Sequence, residues 1–223
     1  MTWIDAALVR HALSLPCELV RLRQPPGARE AAVLMPLVLA GGPARVLVQV
    51  RPSGLRDHGG ELAFPGGKPE PGDTDLQATA VREAHEEIGL EPSQLELLGE
   101  LAWVPVITRK YAVRPFVGLI TGGPLLAPTP RVSSAETERL IALPLAPWIE
   151  GTMPVHATID HWDEQVFEAP FFRLPGGEVL YGTGAFFLFD LLDRLARAAG
   201  RERIRPVIEA DKPWGQRYGD LVR

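Results

Sequence analysis

Apolar positions along the chain fall into two rhythms. Residues 31–39 (Ala-Ala-Val-Leu-Met-Pro-Leu-Val-Leu) form a nearly continuous apolar run that predicts a buried strand, and residues 45–51, after the Gly41-Gly42-Pro43 turn, predict a second. Residues 5–15 set Leu8, Leu13 and Leu15 among polar neighbours, the pattern of a short amphipathic helix, and residues 24–29 form a Pro/Gly loop. The strongest helical pattern runs from about residue 74 to Ile88. Thr74-Asp75-Leu76-Gln77 has the form of a capping box, and Gly89 stands where a left-handed C-terminal cap belongs. Further strands are predicted at about 95–103, 109–120, 155–159 and 171–173. A closing helix over 184–199 carries an apolar stripe of Phe187, Leu188, Leu191, Leu192 and Leu195. From Ile204 onward no clear periodicity is visible. Strands before, around and after one strong helix predict an α/β (α+β) fold with a mixed β-sheet packed between helices.

Composition narrows the function classes. The 223 residues, 46% hydrophobic and 23% charged, suffice for one generous domain over 1–223, with its core at about 30–200 between an N-terminal helix and a C-terminal tail. Twenty-two glycines and twenty-two prolines predict many loops joining short strands. A formal net charge of −5 argues against binding nucleic acid through the overall field, while leaving room for a local basic pocket. The single cysteine, Cys17, excludes an internal disulfide framework and is expected to be a small buried hydrophobe. Asp5, Arg10 and His11 interrupt the N-terminal apolar residues, so no secretion signal is expected, and no segment is long enough for a membrane span. A cytoplasmic protein without a membrane partner is the expectation.

The chemistry concentrates at 82–90, Arg-Glu-Ala-His-Glu-Glu-Ile-Gly-Leu. Glu83, Glu86 and Glu87 lie three and four residues apart and share one helical face, with Val81, Ala84 and Ile88 on the neighbouring stripe. Carboxylates bunched this closely repel unless water or a cation screens them. Mg²⁺ takes oxygen ligands and commonly bridges carboxylates to substrate phosphates. Gly66-Gly67, just ahead of the helix, lets the backbone turn sharply and approach the same cation. Taken alone, the glutamate spacing also fits a solvated acidic surface face.

The whole constellation resembles the Nudix box: a strand, a Gly-Gly turn, a capped helix, Arg82-Glu83 and Glu86-Glu87-Ile88-Gly89-Leu90, in that order. The half from Arg82 to Leu90 matches at every defined position. One departure stands out. The usual acidic residue eight positions before the arginine is here Thr74, and the nearest acid, Asp73, lies nine before it, so the loop carries one extra residue. Asp73 is left with a supporting role in the loop or as helix cap. The resemblance implies a Nudix fold, with Glu83 and Glu87 as principal ligands of Mg²⁺ (or Mn²⁺). It implies that Glu86 holds a further cation or orients a water, that the Gly67 carbonyl adds a ligand, and that Arg82 holds the glutamates through ion pairs.

Upstream, residues 48–67 resemble the extra signature of the CoA-diphosphatase branch, matching at Arg51, Leu55, Arg56, His58, Gly60, Glu61, Phe64 and Pro65. Similarity to that branch extends to Ala31-Ala32-Val33-Leu34, to Val113-Arg114-Pro115-Phe116-Val117-Gly118 and to Tyr181-Gly182-Thr183-Gly184-Ala185, over about 30–200 in all. The branch implies Mg²⁺-dependent hydrolysis of coenzyme A or an acyl-CoA to 3′,5′-ADP and a 4′-phosphopantetheine species. Arg51 or Arg56 would fork onto a phosphate; the competing role for each is a structural loop arginine. His58 is expected to brace the loop rather than catalyse, and Glu61 either hydrogen-bonds the loop or lies near the cations. The general base falls to Glu86 or to Asp160, Asp163 or Glu164, which otherwise form a solvated acidic turn. The alternatives are another diphosphate, such as ADP-ribose, NADH or a nucleotide sugar, and a non-catalytic nucleotide-binding module. A homodimer fits the family analogy.

Overall fold

The computed structural model describes residues 3–19, 26–54, 59–105, 110–127, 136–162 and 164–210. Its elements in chain order are α1 (Ala6–Ser14), β1 (Arg29–Val38), β2 (Arg45–Val50), β3 (Leu62–Ala63), β4 (Gly66–Gly67), α2 (Leu76–Ile88), β5 (Leu95–Glu100), β6 (Val104–Pro105), β7 (Tyr111–Ile120) and β8 (Arg139–Pro144). They continue with α3 (Ala146–Ile149), β9 (His156–Trp162), β10 (Gln165–Arg173), β11 (Val179–Leu180), α4 (Thr183–Ala198) and β12 (Val207–Ile208).

The main sheet is organised around β1. One edge of β1 runs parallel to β7, from Arg29↔Tyr111 to Leu37↔Leu119, and β5 pairs antiparallel with the far edge of β7. The other edge is shared. β2 meets β1 only at Leu37↔Val46 and Val38↔Arg45, then diverges from it. The segment carrying β3 and β4 fills the resulting wedge, pairing first with β2 (Gln49↔Ala63, Val50↔Leu62) and then with β1 (Ala32↔Gly67, Val33↔Gly66). β8 closes the outer edge of β2.

Alternation along β1 explains why helices cover both faces. Ala32, Leu34 and Val38 pack with Ala80, Ala84 and Ile88 of α2. Ala31, Met35 and Leu37 point the other way, into a core shared with Val9 and Ala12 of α1 and Phe187, Leu188 and Leu191 of α4. A fully buried Leu or Met stabilises by about 1.5–3 kcal/mol, against about 1 kcal/mol for a helix cap. Packing on β1 therefore sets the position of α2. The expected mixed sheet between helices is what forms.

Several expectations change in detail. Helix α2 begins at Leu76, not Thr74, because extended Asp75 is the N-cap and its side chain accepts the Ala78 N–H at 2.8 Å; the Thr74–Gln77 capping box does not form. Gly89 does end the helix, at φ 69° and ψ 27°, and the Leu90 N–H reaches back to the Ala84 carbonyl at 3.3 Å. The strand predicted to reach residue 103 ends at Glu100. β8 went unpredicted because its short apolar run, Leu140 to Leu143, shows no alternation. A second, four-stranded sheet, ordered β11-β10-β9-β12, replaces the two short strands expected at 155–159 and 171–173. There β9 and β10 form one long hairpin from Phe171↔His156 to Gln165↔Trp162, and β12 adds a strand inside the tail that showed no periodicity. Cys17, expected to be buried, is only half-buried; burial, with Asp190 beside it, pushes its thiol pKa up.

Helix α4 is tied to the N-terminal helix by charge as well as packing. Arg194 forks onto Asp190 at 2.8 and 2.9 Å and donates to the carbonyls of Leu13 and Leu15 at the end of α1. Among the described residues no helix is long and apolar enough to cross a membrane.

The β1–β4 contact depends on glycine. A Cβ on Gly66 would lie 2.3 Å from the Ala32 carbonyl oxygen and 2.6 Å from Val33 Cα, both backbone atoms, whereas one on Gly72 would meet nothing within 4 Å. Gly66→Ala is expected to cost about 1–3 kcal/mol in urea denaturation, with Gly72→Ala near neutral. Equal stabilities for the two variants would contradict the tight β1–β4 contact.

Candidate active site

The site forms where α2 crosses the β2–β1 wedge. Glu87 neighbours the apolar stripe of α2, so its side chain is carried toward the sheet and is only 3% exposed. Its Oε2 accepts from Gln49 Nε2 at 2.8 Å and from the Gly66 N–H at 2.9 Å. Its Oε1 lies 3.9 Å from Arg51 Nη1. Gln49 is itself fixed. It is fully buried in β2, and its Oε1 is contacted by the Thr137 hydroxyl, which also sits 2.8 Å from the Glu87 carbonyl oxygen. Leu47 and Gln49 of β2 and Arg51 just past its end alternate toward the α2 face, so this segment delivers one apolar, one amide and one cationic side chain to the underside of the helix.

Burial pushes the Glu87 carboxyl up to about 7 despite the Gly66 N–H, Gln49 and Arg51, and the nearby charge of Glu83 adds to the rise. Glu83 is also raised, by burial first; Arg82 opposes this, while Glu86 and Glu136 reinforce it. Gly67 sits directly beneath Glu83, and a Cβ there would fall 2.2 Å from Oε1. A side chain at 67 would push the Glu83 carboxylate from its place over β4.

Arg82 is the hub of the other half. It donates to Asp73 through Nε and Nη2 (both 3.1 Å), to Glu83 Oε1 (3.1 Å), to Glu86 Oε2 (3.0 Å) and to the Lys68 carbonyl (3.0 Å). Asp73 also accepts from the Glu70 N–H and the Thr79 hydroxyl, each at 2.9 Å. The Arg82 hydrogen bonds, followed by the Glu70 N–H, hold the Asp73 carboxyl down at about 2. Asp73 thus braces the longer loop and clamps Arg82, and it does not cap the helix.

The donor set suits a hard divalent cation: carboxylate oxygens, those of buried Glu87 and partly buried Glu83 raised in pKa, over a glycine whose missing Cβ leaves the space. Among the described residues no three His, Cys, Asp or Glu side chains are already gathered around one point. Glu86 is drawn toward Arg82 and is 54% exposed, while Glu83 and Glu87 face the sheet.

A NUDIX-domain family model matches residues 28–141, a little over half of the chain. The chain belongs to the Nudix family. Its relatives include the uncharacterized Nudix hydrolase NudL of Photorhabdus laumondii, 38% identical over 138 residues (61% of this chain, 69% of the relative). The Shigella flexneri protein of the same name is 41% identical over 124 residues, 56% of this chain and 62% of the relative. These alignments span about two thirds of the relatives' own length. Among solved structures, a Nudix hydrolase from Alicyclobacillus acidocaldarius superposes with a TM-score of 0.46 at 20% identity, over 80% of this chain and 98% of that one. RenU, a Nudix hydrolase from M. Smegmatis, gives 0.43 at 25% identity, over 60% and 84%.

Within this Nudix chain the structure brings Arg82, Glu83, Glu86, Glu87, Gly67 and Arg51 together. Arg56, His58 and Asp163 lie outside the described residues. Glu61 joins the strand entering the site, its carbonyl accepting the Arg51 N–H at 3.0 Å. Asp160 and Glu164 belong to the β9–β10 hairpin of the second sheet, whereas α2 packs chiefly on β1, β4 and β7. Sequence analysis passed over Gln49, Thr137 and Glu136. Gln49 carried a signal, as an amide inside an apolar strand; Glu136 and Thr137 carried none, standing in a polar stretch far along the chain.

Asp73 offers a test of the Arg82 clamp. Its folded pKa lies below the unfolded 3.8, so its contribution is full above that pH and lost as pH falls through about 2. Asp73→Asn is expected to lose about 1–2 kcal/mol at pH 7, with the gap to wild type closing between pH 4 and 2 in denaturant titrations. A gap independent of pH would refute the clamp.

Proposed function

We propose that the chain hydrolyses the diphosphate linkage of coenzyme A or an acyl-CoA, giving 3′,5′-ADP and 4′-phosphopantetheine or its acyl derivative. Two features support this. The pairing of buried, charge-hungry Glu87 with Glu83 over the Gly67 gap suits diphosphate chemistry that depends on a divalent cation. The segment from Arg51 to Pro65, resembling the CoA-diphosphatase branch, directs that chemistry to this substrate.

Glu83 and Glu87 are the residues that would hold Mg²⁺ (or Mn²⁺), with Glu86 and the Gly67 carbonyl completing the set. When bound, the cation supplies positive charge against the diphosphate and acidifies a water molecule. The chain's own residues do the rest. Glu87 Oε2 is saturated by Gln49 and Gly66, so Oε1 is the oxygen free to face the ligand. Arg51, already near that oxygen, is placed to fork onto a phosphoryl oxygen. Arg82 holds Glu83 and Glu86 in position. Attack on phosphorus is in line, and the proton of the attacking water goes to a carboxylate at the open side of the site. Exposed Glu136, next to the Thr137 that touches the Glu87 carbonyl, takes that role in preference to Glu86, which Arg82 engages, and to Asp160 or Glu164 of the second sheet. A cytoplasmic setting and a homodimer accompany this reading as expectations from the sequence.

The test incubates the protein with Mg²⁺ and coenzyme A, acetyl-CoA, ADP-ribose, NADH and dATP, with products separated by chromatography. Release of 3′,5′-ADP from the CoA compounds, abolished in Glu87→Gln, is expected. Glu136→Gln is expected to lower kcat by about 10²–10⁴-fold with KM little changed. Turnover of ADP-ribose or NADH alone would keep the diphosphatase chemistry and remove the coenzyme A assignment.

A further inference from the structure

Arg51 and Arg114 each keep a buried Nε–H without a hydrogen-bond partner. The strand register places both on the α2 face of the main sheet. Leu34 and Phe116 are register partners and both belong to the core beneath α2. Arg114 precedes Phe116 by two residues and therefore shares that face. Its own partner on β1 is Ala32, and Ala32 pairs on its other side with Gly67, the glycine beneath Glu83. Gly67, Ala32 and Arg114 thus form one row across three adjacent strands. Two strand spacings separate the ends of this row by about 10 Å, and a side chain as long as arginine's closes much of that gap. Arg51, just past the end of β2, reaches Glu87 from the opposite side.

The fold makes little use of the Arg114 charge. Its Nη1 meets Glu100 at 3.5 Å in a half-exposed pair, which is a weak contact, and its Nε–H stays unmet. A guanidinium fork on the same sheet face as Glu83 and Glu87, free to swing from its weak contact with Glu100, suits a planar pair of phosphoryl oxygens.

We infer that Arg114 binds a phosphoryl oxygen of a diphosphate held over Glu83 and Glu87, on the side opposite Arg51. This rests on the diphosphatase reading of the same site, though not on which diphosphate is the substrate. Isothermal titration of methylenediphosphonate, a non-hydrolysable diphosphate, with Mg²⁺ present separates the two. The proteins compared are wild type, Arg114→Gln, Arg114→Lys and Glu100→Gln, each also titrated with Mn²⁺ alone and melted thermally.

Arg114→Gln is expected to weaken the probe about 10- to 100-fold, with Mn²⁺ affinity and melting temperature unchanged. Arg114→Lys should fall between, and Glu100→Gln should bind at least as tightly as wild type. Wild-type affinity for the probe in Arg114→Gln overturns the inference, as does a parallel loss of Mn²⁺ binding. Failure of wild type to bind the probe removes the diphosphatase reading and this inference with it. Failure to hydrolyse coenzyme A, with the probe still weakened in Arg114→Gln, leaves the inference standing.

Discussion

The site depends on keeping one carboxylate out of water. Raising Glu87 from 4.5 to about 7 corresponds to roughly 3 kcal/mol of disfavoured charge, a penalty that the fold must offset elsewhere and that a cation would relieve. Gln49 and the Gly66 N–H satisfy one oxygen, and Thr137 in turn locks Gln49. Among the described residues no comparable hydrogen bonds reach the other oxygen, which has Arg51 at 3.9 Å. The result is a carboxylate oxygen fixed in position and left under-compensated, which is the condition under which a divalent cation would bind with most effect.

Holding a helical carboxylate against a sheet needs a gap in that sheet. The early divergence of β2 from β1 opens it, and the segment carrying β3 and β4 fills it, with the two glycines of β4 presenting backbone rather than side chains. Glycine at 66 permits the approach to β1, and glycine at 67 leaves the volume that Glu83 occupies. The apolar contacts of Ala80, Ala84 and Ile88 with β1 press the helix down onto this gap. Polar function and apolar packing are thus carried by adjacent stripes of one helix, and neither can rotate without displacing the other.

Legibility in the sequence followed the range of the interactions. The helix from Leu76 to Ile88, its glycine terminator and the strands β1, β2 and β7 were legible because their signals are local and periodic. The N-cap was misplaced by one residue because Thr74 and Asp75 are both competent caps, and only the backbone at Asp75 decides between them. β8 and β12 are short, and their partners β2 and β9 lie far away in the chain, so pairing rather than composition creates them. The same applies to Thr137, fifty positions from the Glu87 carbonyl it contacts, and to Arg114, whose place in one row with Ala32 and Gly67 exists only through the register of β1.

Asp73 shows why motif spacing is a poor guide to charge balance. It sits one place away from the expected acid, yet its carboxylate reaches Arg82 through two 3.1 Å contacts while accepting from Glu70 and Thr79. The extra loop residue is absorbed by the turn, and the guanidinium is satisfied all the same. Arg82 pairs with Glu83 as well as with Asp73 and Glu86, yet burial outweighs that contact, and Glu83 stays raised in pKa beside Glu87. The motif is therefore divided in two. One half is an ion-paired brace; the other is a pair of carboxylates, Glu87 buried and Glu83 partly so, whose mutual repulsion a bound cation would relieve.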